Sequence, residues 1–197
     1  MKRPLARLVS AGCVALLCAT GGAIPASSAQ ALGGEGGCSQ ETSAPHQEVG
    51  TLDLTATLAL STHNEERTRL GVPPLAWDCE LASDASRWAY ELARRGTLEH
   101  ADPAIRKGSG ENLWMGTAGR FPVEHMFGRF IDEGRLYRHG QFPDISVTGN
   151  WADAGHYSQV IWRGTRELGC ALAQGEGKDV LVCRYHPAGN VRGRTPY

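Results

Sequence analysis

No stretch of this chain is strongly basic, and the formal net charge is −1 at pH 7. The electrostatic footprint of a nucleic-acid binder is therefore missing. Hydrophobic residues make up 41% of the chain, enough for a core and far from the composition of a membrane protein. No internal repeat is present. The zinc-protease pattern H-E-x-x-H is absent, because Glu124-His125 lacks a second histidine at the required step. There is no G-x-S-x-G elbow to carry a nucleophilic serine, and no glycine loop opens a helix as a phosphate cradle.

What remains is enough for about one domain in 197 residues. Its N-terminus reads as a secretory signal peptide over residues 1–31. Lys2, Arg3 and Arg7 supply the positive region, an apolar segment runs from Leu8 to about Ala23, and Ala29-Gln30-Ala31 is an A-x-A cleavage site. The apolar run is broken by Gly21, Gly22 and Pro25 and falls short of the ~20 residues of a membrane span. The expected destination is secreted, extracellular or periplasmic, with no stable membrane span after cleavage. Residues 32–53 are rich in Gly, Ser and Glu, lack periodicity and are read as a flexible arm in which His46 is solvated and idle. The folded domain is then 54–197.

Cleavage would remove Cys13 and Cys18 and leave Cys38, Cys79, Cys170 and Cys183. An even number in an exported chain implies disulfides, and four cysteines allow three connectivities. Cys170 and Cys183 lie in two apolar runs that could be neighbouring strands. That pair is favoured, with Cys38–Cys79 tying the arm to the domain.

Helices are expected over 54–70, 80–95 and about 122–137. The second is the clearest: Leu81, Ala85, Trp88, Ala89 and Leu92 recur at three and four residues, Asp78 is placed as N-cap, and Gly96 ends it. Three strands are expected at 157–162, 168–173 and 179–185, the last two joined by a glycine-rich turn at 174–178. Helices first and a compact antiparallel sheet last make the fold class α+β. In this reading His156 sits on the first residues of a buried strand, at the mouth of a cleft. His63-Asn64 is read as a buried helix face that satisfies a loop.

Four residues at loop or element ends could carry chemistry: His100, Glu111, Glu133 and His156. Neutral imidazole is a common ligand of first-row metals, and two imidazoles would hold a divalent ion with water completing the shell. A carboxylate can orient such a histidine by accepting its other N–H. Glu111 or Glu133 could alternatively serve as the base of a metal-dependent hydrolase, or both as a glycosidase pair.

Several motifs are familiar. Gly155-His156-Tyr157-Ser158-Gln159-Val160-Ile161-Trp162 resembles the GHYTQVVW signature of the CAP superfamily, which groups cysteine-rich secretory proteins, venom antigens of the antigen 5 type and plant pathogenesis-related proteins. Cys183-Arg184-Tyr185-His186-Pro187-Ala188-Gly189-Asn190 is similar to its C-N-Y-x-P-x-G-N signature, with Arg184 in place of the usual asparagine. Gly110-Glu111-Asn112-Leu113 resembles its G-E-N-L segment. His63-Asn64 with Arg67, and Leu75-x-Trp77-Asp78, match its opening helix and the turn that follows. The resemblance covers roughly 54–191. It implies an SCP-like three-layer α–β–α sandwich with a central antiparallel sheet flanked by helices. It implies that His100 and His156 are the metal ligands, for zinc or another divalent cation, and that Glu111 and Glu133 are their cleft partners. It also implies a lipid, sterol or protein ligand, and no single shared reaction. Since no cysteine-rich C-terminal module is present, the channel-blocking role of such modules is not expected.

Overall fold

The structure, a computed structural model, describes residue 38 and residues 49–197, with side chains at Cys38 and from residue 54 onward. The expected signal peptide, His46 and most of the arm lie outside the described residues. In chain order the elements are α1 (Val49–Arg69), β1 (Ala76–Trp77), α2 (Cys79–Arg95), α3 (Pro103–Arg106), β2 (Gly110–Thr117), α4 (Val123–Asp132), α5 (Gly155–Val160), β3 (Glu167–Gly175) and β4 (Lys178–His186). Short 3-10 turns cover Glu133–Leu136 and Trp151–Ala154.

Strand β4 sets the layering. Successive strand residues point to opposite faces, and both faces of β4 are apolar. Val180 and Val182 join a core with Ala85, Ala89, Leu92 and Ala93 of α2. Leu181, Cys183 and Tyr185 join the opposite core with Met126, Phe127 and Phe130 of α4 and Val160 and Ile161 at the end of α5. The sheet is thus buried between α2 on one side and α1, α4 and α5 on the other, as the sandwich reading expects. Its strand order is β1-β3-β4-β2, which leaves β2 at an edge.

Helix α2 follows its sequence pattern closely. Its N-terminus is capped by Asp78, whose carboxylate accepts from the Leu81 amide at 2.7 Å, and it stops at Gly96 with φ 65°. It lies close on the sheet at Gly169, where an added Cβ would fall 2.2 Å from the Ala82 nitrogen. Both favoured disulfides are present: Cys38–Cys79 ties residue 38 to the start of α2, and Cys170–Cys183 joins directly opposed residues of β3 and β4. No helix among the described residues is long and apolar enough to cross a membrane.

Four expectations change. The segment 157–162 is not a strand: Tyr157 to Val160 belong to helix α5, and the chain turns at Ile161 and Trp162. A short apolar run reads equally well as strand or buried helix, and packing decides. Here Val160 and Ile161 lie in the α4 core, and Arg67 takes up the carbonyls at the end of the helix. The sheet is also not purely antiparallel, because the two-residue β1, too short to carry a period, pairs parallel with β3. Finally, α4 ends at Asp132, so Glu133 opens a 3-10 turn instead of sitting inside a helix, while α1 begins at Val49, five residues ahead of the expected start.

His63 and Arg67, four residues apart on one face of α1, are both fully buried. His63 donates from Nδ1 to the Ala59 carbonyl at 2.7 Å, so its Nε2 accepts from the Tyr185 hydroxyl at 2.8 Å. Burial lowers the His63 pKa from the ordinary 6.5 to about 4, against the opposing pull of the Ala59 hydrogen bond. Below pH 6.5 the unfolded chain therefore takes up a proton that the folded chain refuses. Stability falls as pH drops through this window, by about 3 kcal/mol in total from this group, and is unaffected above it. Urea midpoints measured from pH 7 to pH 4 should fall more steeply for the wild type than for His63→Gln. Parallel curves would show that His63 does not carry the acid sensitivity.

Candidate functional site

A cleft of about 480 Å³ runs along the β2 edge, and His100, Glu111, Asn112, His156 and Gln159 are among the residues lining it. Three of the four residues singled out from sequence line it, and the fourth, Glu133, is bonded to His156, so that the four form two histidine–carboxylate pairs. His100 comes from the loop after α2 and Glu111 from the second position of β2. His156 lies in the first turn of α5 and Glu133 just past the end of α4.

The pairs share one geometry. His100 Nδ1 lies 2.7 Å from Glu111 Oε1, and His156 Nδ1 lies 2.6 Å from Glu133 Oε1. A carboxylate only accepts, so Nδ1 carries the proton in both rings and the neutral ring keeps its lone pair on Nε2. Each carboxylate is fixed in turn. Glu111 Oε1 also accepts from the Ala101 amide at 3.0 Å. Glu133 Oε2 accepts from the amides of His156 and Tyr157 at 2.9 and 3.2 Å. The His156 ring packs against Phe130, with centroids 5.1 Å apart, and its carbonyl accepts from the Asn112 amide at 3.1 Å. Asn112 also donates to Tyr185, which joins the cleft wall to the buried His63.

The rings differ in exposure. The His100 side chain is 59% exposed above a Glu111 side chain at 0%. Glu111 is accompanied by Arg184, whose Nη2 lies 3.1 Å from Glu111 Oε2 while the arginine side chain is 1% exposed. The contact is an ion pair and not an aligned hydrogen bond, and none of the Arg184 side-chain nitrogens has a hydrogen-bond partner among the described residues. Burial lowers the Arg184 pKa, opposed by the charges of Glu111 and Asp84. Strand register explains the pairing, since Glu111 and Arg184 are directly opposed across β2 and β4 on the α2 side of the sheet.

Arg184 was not among the residues expected at the site. The alternation Val180, Val182, Arg184 could have placed it inside, but its partner depends on a register that sequence does not carry. Trp151, Arg106 and Arg192 also line the cleft and were not expected. His63 lies in the core, consistent with its reading as a buried helix residue.

Among the described residues no set of three or more His, Cys, Asp and Glu could hold a metal ion. The donor set here is two imidazoles, each oriented by a carboxylate. Carboxylate-oriented rings of this kind are the usual backing of metal-binding histidines. Two imidazoles fall short of a complete ligand set, so any cation held by them would take its remaining ligands from water or a bound molecule.

A family model described as the cysteine-rich secretory protein family, CAP, matches residues 60–185. Pathogenesis-related protein 1A of Nicotiana tabacum is 35% identical over 139 residues, covering 70% of this chain and 78% of that protein. Cysteine-rich secretory protein 2 of Homo sapiens is 34% identical over 152 residues, covering 68% of this chain and 58% of that protein. Among solved structures, the crystal structure of NaASP2 with Zn²⁺ matches with a TM-score of 0.61 and 25% identity, over 73% of this chain and 85% of the other.

Proposed function

This chain belongs to the CAP family of cysteine-rich secretory proteins, and from that premise we propose that its cleft is a binding site in which His100 and His156 together hold one divalent cation, zinc first among the candidates. The protein would act outside the cell or in the periplasm as a binding module, with no reaction of its own. The observation that carries this reading is the shared geometry of the two rings, which both line one cleft and are each held at Nδ1 by a carboxylate. The similarity to a protein solved with Zn²⁺ adds support. Glu133 has both oxygens hydrogen-bonded within the protein, and Glu111 has Oε1 hydrogen-bonded and Oε2 in an ion pair with Arg184. That favours a positioning role over the general base of a hydrolase.

Calorimetric titration of the metal-stripped mature protein with Zn²⁺ should show one site. His100→Ala and His156→Ala should each abolish it, and Glu133→Gln should weaken it by about 10–100-fold through loss of ring orientation. Zinc binding that survives in the double histidine variant would remove the centre from this cleft.

A further inference from the structure

Beyond the two histidines the cleft has a second half made of different chemistry. Trp151, Phe142, Arg106 and Arg192 line it. We propose that this half is a subsite for an acidic saccharide, a uronate or a sulfated sugar, with the ring face on Trp151 and the anionic group between Arg106 and Arg192. The proposal rests on the cleft being a binding site but not on a bound cation.

Trp151 is the platform. It remains 45% exposed although it lies in a hydrogen-bonded turn. Its ring meets Phe142 edge to face at 5.3 Å, and a Cβ on Gly155 would fall 3.1 Å from it. The turn beneath it is pinned by Asn150, which accepts from the Ala152 amide at 3.2 Å. An indole so mounted presents a rigid amphipathic face at small entropic cost.

The charge around it is positive. Arg106 donates from Nε to the Ala101 carbonyl at 3.0 Å, which fixes the guanidinium while its two Nη groups have no partner among the described residues. Arg192 is exposed, with no hydrogen bond or ion pair to its side chain among those residues. Its segment is pinned on either side of Phe142: the Gly193 amide donates to the Phe142 carbonyl, and the Phe142 amide donates to the Arg194 carbonyl, both at 2.9 Å. The acid lining the cleft, Glu111, is already matched by Arg184. Asp153, on the Trp151 turn, has both oxygens taken up by Thr148 and Asn150. The Nη groups of Arg106 and the whole guanidinium of Arg192 are thus left without an ion-pair partner at the cleft, and guanidinium pairs best with carboxylate and sulfate. An acyl chain fits less well, because the apolar side chains here are Phe142, Trp151 and two alanines, whereas lipid sites are lined mainly by hydrophobic groups.

The test uses the mature protein in EDTA, titrated with a tetragalacturonate, a sulfated heparin-type tetrasaccharide and a neutral glucose tetrasaccharide, read by calorimetry and tryptophan fluorescence. At least one acidic sugar should bind about 10-fold or more tighter than the neutral one. Arg192→Ala and Arg106→Ala should each weaken it by about 5-fold or more, and Trp151→Ala should remove the fluorescence change and most of the binding. Arg87→Ala, an exposed arginine outside this cleft, should leave it unchanged. Equal binding of acidic and neutral sugars, no binding of either acidic sugar, or equal losses in Arg87→Ala and Arg192→Ala would each overturn the proposal. A failed zinc titration with sugar binding intact would remove the cation reading alone.

Discussion

Replacing Arg67 by methionine should destabilise the fold by at least about 4 kcal/mol, a large share of the ~5–15 kcal/mol that holds a typical domain. The guanidinium is fully buried and donates to four backbone carbonyls, those of Pro73, Val160, Trp162 and Thr165, at 2.7 to 3.0 Å. Burial lowers its pKa only to about 10, so it stays charged at neutral pH. Methionine fills the aliphatic part of the space and leaves the four carbonyls without their donor. A buried acceptor stripped of its partner costs about 1–3 kcal/mol. Lysine offers three donors from one point and cannot span the same fork, so Arg67→Lys should fall between the two. The carbonyls of Val160 and Trp162 lie where α5 ends, and α5 carries His156. Any cation site in the cleft should therefore weaken together with stability. Urea unfolding of the three proteins measures the first effect. A methionine variant within about 1 kcal/mol of wild type, less than a single lost hydrogen bond to a charged group, would show that α5 is held by other contacts.

This network marks where sequence reading stopped. Helix α2 was legible because its apolar stripe, Asp78 cap and Gly96 stop all agree. The β3–β4 hairpin was legible because a glycine-rich turn joins two apolar runs, and the Cys170–Cys183 pairing followed from it. Helix α5 was not legible. Val160, Ile161 and Trp162 favour a strand locally, and the donor that closes the helix comes from Arg67, some 93 residues away. The four site residues were named from their chemistry and from family resemblance. Their arrangement as two histidine–carboxylate pairs needed the edge position of β2 and the approach of α5 to it. Arg184, Trp151 and Arg192 escaped because their roles depend on what lies opposite them. A tryptophan in a sequence is more often core than platform, and only exposure separates the two.

Arg184→Met should cost about 3–5 kcal/mol, the usual penalty for removing one partner of a buried ion pair and leaving the other uncompensated. Glu111 is the group left behind, with its side chain fully buried and its Oε1 committed to His100 and Ala101. The loss belongs to the stranded carboxylate and not to the worth of the pair, and a second substitution separates the two. In Arg184→Met with Glu111→Gln the charge is gone, and the glutamine oxygen can still accept from His100 and the Ala101 amide. The double variant should recover most of the lost stability, because a buried pair replaced by neutral groups of similar volume is often close to neutral in effect. Residues in direct contact are where such non-additivity is expected. If the cleft holds zinc as proposed, affinity should follow the carboxylate: lowered in Glu111→Gln and equally in the double variant, where His100 loses the charged group that orients it, and not lowered by Arg184→Met, which removes a positive charge from beside the site. Urea unfolding and zinc titration of wild type, both single variants and the double complete the cycle. A strictly additive cycle would mean that Arg184 and Glu111 do not depend on each other. The His100 ring would then be positioned by Glu111 and the Ala101 amide alone.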